Sequence, residues 1–247
     1  NKTLEIQIRK TNQLKTVIGS CKIEGNTLTL KDGLSLVQGK ELQASSKEIL
    51  EIKNTLLLYQ TLEKYGFEKK NDLLKAHYTL MNGLLKTCGK IRKVNVGIGG
   101  GGILKYIAPR FEEVDDHLSE LFTLIKNEEY DPLVTSALIH LYIESIHPFE
   151  DGNGRIGRFF QTLYLTKKVS FLFQYLNLEG IISENIASYY EALNKSQTQK
   201  NANYFVEYSL KSILKSLKDY TAQKDSQSSS SSRLLEAKKT LKTKMFS

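Results

Sequence analysis

Two apolar helical patterns, one over Asp131–Ile146 and one from Arg155 onward, are joined by eight residues that open on His147-Pro148 and close on Gly152-Asn153-Gly154. A proline and two glycines there force a tight loop instead of a continued helix. The first pattern sets Leu133, Ala137, Leu138, Leu141 and Ile143 at helical spacing, with Asp131 as N-cap and Pro132 at the first turn. The second sets Ile156, Phe159, Phe160, Leu163 and Tyr164 in the same way. The glycine loop therefore meets a helix N-terminus, where unpaired amides and the helix dipole favour an anion. Arg155 and Arg158 share a face beside it. Two guanidiniums next to backbone amides suit a polyphosphate better than a single carboxylate. Asp151 offers the hard oxygen that Mg²⁺ takes when it also holds nucleotide phosphates. His147 is the nearby group whose ordinary pKa lies near neutrality, which makes it the candidate general base. Together these residues imply transfer of part of a nucleotide to a nucleophile that His147 deprotonates.

The run HPFEDGNGRIGR, His147 to Arg158, resembles the signature of the Fic family, H-x-F-x-D/E-G-N-G-R-x-x-R, at every defining position. That resemblance implies a mainly α fold, a Fic-type helical bundle with a small β-hairpin flap over the active site. It implies a protein adenylyltransferase that moves AMP from Mg-ATP to a Ser, Thr or Tyr hydroxyl of a target protein. On it, His147 is the base, Phe149 anchors the loop in the core, and Asp151 holds Mg²⁺. Gly152, Asn153 and Gly154 form the phosphate-binding anion hole. Arg155 and Arg158 bind the triphosphate, Arg158 near its γ-phosphate.

Near the N-terminus SCKIEGN, Ser20 to Asn26, is similar to the family's inhibitory motif S/T-x-x-x-E-G/N, with Ser20 and Glu24 in register. The resemblance implies a Glu24–Arg158 ion pair that fills the room the γ-phosphate needs. A charge-assisted pair contributes on the order of 1.5–3 kcal/mol, or roughly ten- to a hundredfold in productive ATP binding.

Gly97, Gly99, Gly100, Gly101 and Gly102 formally contain GxGxxG, but Ala108-Pro109 follows where a dinucleotide fold needs a helix. The alternation of Val94, Val96 and Ile98 predicts a strand instead, in a hairpin with a glycine-rich tip. Gly89-Lys90-Ile91-Arg92 resembles the lead-in to the family's flap, which positions an extended target by strand pairing, with Val96 and Ile98 as flap residues. A helix is expected over Ser183–Gln197, and its Tyr189-Tyr190 pair resembles an element whose second tyrosine, here Tyr190, stacks near the base. Gln197 stands where an asparagine commonly contacts adenine, and Asn194 is also within reach, so the base stays open.

His140, Glu144 and His147 share a helix face, but their spacing departs from H-E-x-x-H and His140 is read as a packed core histidine. His77 and His117 are read as ordinary helix residues. A capping box at Ser45–Glu48 opens a helix expected to reach about Gly66. Further helices are expected over roughly Asp72–Leu85, Glu112–Lys126 and Tyr204–Tyr220.

The 247 residues are read as a Fic domain with its inhibitory helix over 1–222, the core at about 75–220, followed by 223–247. That tail is a Ser-rich linker, Ser226 to Ser232, and a basic segment, or the opening of a C-terminal module. Six cations against two acids past Ala222 leave +4 of the chain's net +8, a pattern read as a solvated tail, so nucleic acid is not the expected partner. No apolar run approaches membrane-span length. The two cysteines, Cys21 and Cys88, are too few for a disulfide scaffold, which fits a cytoplasmic protein. Expected partners are ATP and a target with an extended hydroxyl-bearing segment, with self-modification and oligomerisation open. The alternatives are another donor nucleotide, removal of AMP from a modified protein, and a non-catalytic nucleotide-sensing regulator. The presence of both His147 and Asp151 argues against the last.

Overall fold

This computed structural model describes residues 2–100 and 103–245, which form ten α-helices, three short 3₁₀ helices and one hairpin. The helices are α1 (Lys2–Ile23), α2 (Leu30–Val37), α3 (Ser46–Gln60), α4 (Lys70–Met81), α5 (Val114–Asn127), α6 (Pro132–Ile146), α7 (Asn153–Lys168), α8 (Leu178–Glu184), α9 (Ile186–Thr198) and α10 (Asn203–Met245). Strands β1 (Gly97–Gly100) and β2 (Ile103–Ile107) pair antiparallel, with an irregular register at Ile98/Gly99. The mainly α architecture with a small hairpin is the one the sequence implies. Among the described residues no helix is long and apolar enough to cross a membrane.

Helix starts follow local chemistry. Thr29 and Asp32 form a reciprocal capping box on α2, Ser45 caps α3 through the Glu48 amide, and Asp131 caps α6 ahead of Pro132. Helix ends are set from further away. The helix expected to reach Leu85 stops at Met81, because Asn54 of α3 donates to the carbonyls of Leu80 and Asn82 at 3.0 and 2.8 Å. The one expected to reach Gly66 stops at Gln60, where the Thr61 hydroxyl takes the Leu57 carbonyl at 2.8 Å. The helix expected over Ser183–Gln197 is broken at Asn185, whose non-helical backbone ends α8 and whose side chain caps α9 through the Ser188 amide. Val96 lies just ahead of β1, which begins at Gly97 and contains Ile98. Gly101 and Gly102 at the tip lie outside the described residues. The serine run Ser226–Ser232, expected as a linker, lies within α10.

Two apolar clusters organise the bundle. One gathers Val17, Leu58, Leu73, Leu118, Ile143, Phe149, Ile156 and Phe159 from α1, α3, α4, α5, α6, α7 and the loop before α7. The other gathers Ile8, Leu165, Phe173, Leu178, Tyr189 and Phe205 around α8, α9 and α10. Helix α1 contributes to both, so the segment that carries Ser20 is part of the core.

Gly19 is where α1 meets α8 most closely. A Cβ there would lie 2.6 Å from the Glu179 carbonyl carbon and the Gly180 nitrogen, backbone atoms that cannot turn aside. Gly19→Ala is therefore expected to cost on the order of 1–3 kcal/mol. Urea unfolding should show it as a lowered midpoint, and an unchanged midpoint would mean that α1 and α8 can separate freely.

Candidate active site

The loop from His147 to Gly152 is held by side chains more than by a ladder. Asn153 clamps it from both sides, accepting from the Phe149 amide and donating to the Phe149 carbonyl, each at 2.9 Å. Phe149 is fully buried and stacks on the His77 ring with centroids 3.6 Å apart. His77 accepts from the Gly89 amide at Nδ1, so its Nε2 carries the proton and donates to the Asp151 carbonyl at 2.9 Å. Burial pulls its pKa down to about 4, keeping it neutral. His77 is thus a support of the loop and not the ordinary helix residue the sequence suggested. The available signal was a polar residue on the buried stripe Leu73, Ala76, Leu80.

His147 terminates α6 in the left-handed conformation, φ 50° and ψ 58°, which costs a non-glycine residue on the order of 1–3 kcal/mol. Its Nδ1 lies 3.3 Å from the Glu144 carbonyl, which can only accept, so Nδ1 donates and Nε2 keeps the lone pair. Burial lowers the His147 pKa, the Glu144 carbonyl opposes, and Arg92 lowers it further. A neutral imidazole with a free Nε2 is what a general base requires.

Gly152, at φ 84°, delivers the chain into α7, whose first amides have no partner within the helix. Arg155 is buried there with Nε and Nη1 lacking any hydrogen-bond partner among the described residues. Its nearest carboxylates, Glu51 and Asp151, stand off at 3.8 and 3.6 Å. The Asp151 side chain is 56% exposed, and its Oδ1 accepts from the Gly152 amide at 2.6 Å. Among the described residues no group of three or more His, Cys, Asp or Glu could hold a metal. A lone exposed carboxylate beside an anion site fits Mg²⁺, which takes its remaining oxygens from phosphates and water.

Arg158 is 1% exposed. It donates to the Ser20 hydroxyl and carbonyl at 3.1 Å each, to Glu24 Oε1 at 2.6 Å and to the Tyr189 hydroxyl at 3.4 Å. Burial works against its charge, but Glu24, then Tyr189 and Glu144, hold it well above its ordinary range. The Glu24 carboxylate also lies against the start of α7, since a Cβ on Gly154 would meet Glu24 Oε1 and would lie 3.0 Å from Glu144 Oε1.

Glu144 is the second acid at this spot, and sequence reading gave it no role beyond a rejected metal face. It accepts from the Tyr189 hydroxyl at 3.1 Å. That hydroxyl also lies 3.0 Å from His140 Nε2, while Gln161 occupies His140 Nδ1. His140 is a packed core histidine, brought down to about 3 by burial. Tyr190 is partly exposed, and its hydroxyl donates to the Ile23 carbonyl at 3.3 Å. Gln197 is engaged with the Ser145 hydroxyl at 3.3 Å. The hairpin runs beside this region, β2 contacting α9.

Residues 67–165 match the sequence model of the Fic/DOC family. The chain is 26% identical over 159 residues to the protein adenylyltransferase fic-1 of Caenorhabditis elegans, over 59% of this chain and 30% of that protein. It thus spans about a third or less of the curated relatives it matches. A Fic family protein from Desulfovibrio desulfuricans superimposes with a TM-score of 0.84 at 35% identity, over 87% of this chain and 66% of that one. A Fic domain containing signaling protein from Bacteroides thetaiotaomicron shares the fold, with a TM-score of 0.75 at 19% identity over 91% of each chain.

Burial, and then the charge of Glu24, push Glu144 from its usual 4.5 up to about 7. The folded chain therefore keeps a proton that the unfolded chain releases, and this group's contribution to stability is full below 4.5 and lost as pH rises to 7. Glu144→Gln, which cannot titrate, should gain stability relative to the native chain as pH rises through that window. Urea unfolding at a series of pH values measures the difference, and a constant difference would mean that Glu144 does not titrate there.

Proposed function

Since this chain belongs to the Fic/DOC family, we propose that it is a protein adenylyltransferase held in check by Glu24. It would move AMP from Mg-ATP to a Ser, Thr or Tyr hydroxyl on an extended segment of a target protein, or of a second copy of itself. The observation that carries this reading is Arg155, buried with unpartnered N–H groups beside the first amides of α7 and close in sequence to a neutral His147. A buried donor left without an acceptor is costly, and a phosphate oxygen is the acceptor this donor set suits.

In the proposed reaction His147 Nε2 takes the proton of the target hydroxyl, and the freed oxygen bonds to the α-phosphorus of ATP. The bond from that phosphorus to the oxygen bridging towards the β-phosphate breaks, and pyrophosphate leaves with the electron pair. Amides at the start of α7 and Arg155 would stabilise charge on the α- and β-phosphate oxygens, and Arg158 would take the γ-phosphate. Asp151 would hold Mg²⁺, which neutralises phosphate charge and orients the leaving group. Tyr190 and Gln197 are the candidates for the base, Gln197 having to exchange its Ser145 contact for it. Val96 and Ile98 on the hairpin would guide the target by strand pairing.

Glu24 supports the inhibitory part of the reading, since it occupies both Arg158 and the space over Gly154. A γ-phosphate would have to displace a pair contributing on the order of 1.5–3 kcal/mol.

The test is Mg²⁺-dependent labelling from α-labelled ATP, in lysate and alone. Glu24→Gly should raise labelling roughly ten- to a hundredfold over the native chain, by the same magnitude. Adding His147→Ala should remove it while nucleotide binding survives. Transfer that persists without His147 would overturn its role as base. No labelling in any form would send the reading to another donor nucleotide.

A further inference from the structure

Arg92, which ends the lead-in to the hairpin, is among the largest fully buried side chains of the described residues. It lies between α4 and the hairpin, and each bond it makes goes to a backbone carbonyl. Its amide donates to Pro148 at 2.9 Å, its Nε to His147 at 2.8 Å and its Nη2 to Ile146 at 3.3 Å. From the same guanidinium, Nη1 donates to Val94 at 2.7 Å and Nη2 to Pro109 at 2.6 Å. Three acceptors are consecutive residues centred on the histidine. The other two are the stems through which the chain enters and leaves the hairpin.

No carboxylate pairs with Arg92 among the described residues, and burial lowers its pKa. A buried charge without a counter-ion is tolerated only when its donors are used, as four of the five guanidinium N–H groups are here, and an apolar residue would fill the same volume at less cost. The fan of carbonyls therefore needs a reason beyond packing. His147 sits in a strained left-handed conformation that persists only if its surroundings over-determine it. Arg92 fixes the carbonyls before, at and after that residue. A planar guanidinium can hold two separate strands of backbone at set angles, whereas an ammonium is a point charge.

We propose that Arg92 is a positioning residue that joins the hairpin stems to the backbone of His147, so that a hydroxyl presented from the hairpin arrives in register with Nε2. The role in register rests on the transferase reading above, while the mechanical joint stands without it. Asn95 supplies an internal control, because its Oδ1 accepts from the Phe111 amide at 2.9 Å and closes the stems without touching the loop.

Hydrogen exchange read by mass spectrometry tests the joint on the full chain without any activity. In Arg92→Lys, the stems (93–96 and 107–110) and the loop (144–152) should both exchange at least about tenfold faster, while α3 and α5 stay as in the native chain. In Asn95→Ala the rise should stay in the stems. A loop unchanged in Arg92→Lys, or moved as much by Asn95→Ala, would overturn the proposal. If Arg92→Lys loosens the whole chain, ¹⁵N-arginine spectra of the native protein decide: slow guanidinium rotation with a protected Nε–H supports the joint, and free rotation defeats it.

Kinetics then separate positioning from general damage. In a Glu24→Gly background, Arg92→Lys should leave donor KM within about threefold and lower kcat about ten- to a hundredfold, the scale expected of a misplaced reacting group. Unchanged kcat, or donor binding lost in step with it, would overturn the positioning role. A Glu24→Gly parent that transfers nothing would instead count against the transferase reading, leaving the exchange result to decide the joint.

Discussion

The arrangement of this bundle turns on one buried guanidinium. Arg158 cannot keep its charge inside the core unless acceptors surround it, and it draws them from distant parts of the chain. Ser20 and Glu24 come from the end of α1, Tyr189 from α9, and Glu144 faces the same point from α6. Those three elements are thereby brought into one register around the start of α7, which is also where the proposed anion site lies. Glu144 lies buried beside the Glu24–Arg158 pair, and burial, then the charge of Glu24, keeps a proton on it to about neutrality.

The loop beside it follows the opposite logic. Its backbone groups find little ladder, so side chains satisfy most of them: Asn153 for Phe149, His77 for Asp151, and the Arg92 guanidinium for Ile146 and His147, while the Arg92 amide takes Pro148. Each of these is buried and fixed by its own packing. Side chains locked by packing hold a reacting group more closely than a free loop can. The left-handed backbone of His147 can persist because those contacts fix its neighbours.

Much of this was legible before any coordinates. Asp131, Pro132, Pro148 and Gly152 mark the helix–loop–helix because capping and φ preference are local properties. The contiguous run from His147 to Arg158 placed the loop and the anion end together, and the mainly α class followed from periodicity and resemblance together. The pairing of Glu24 with Arg158 was expected from two motifs far apart in sequence, and the two side chains do meet. The helix end at Met81 was not legible, since the carbonyls of Leu80 and Asn82 are taken by Asn54 through tertiary bonds that periodicity cannot weigh. Nor were His77 and Arg92. Both act on backbone atoms, which every residue carries alike, so no letter in the sequence marks their partners.

Helix α1 has a consequence for how such a chain could be controlled. It carries Ser20 and leads into Glu24, yet Val17, Ile18 and Cys21 are core residues and Gly19 touches the backbone of α8. A protease that clipped away this helix would not unveil an enzyme; it would strip the bundle of one wall. On the proposed inhibitory reading, whatever frees Arg158 would have to leave α1 docked and act on the few atoms beyond its last turn. If Glu24 restrains transfer as proposed, such a brake could be lifted and reset many times within the life of one molecule.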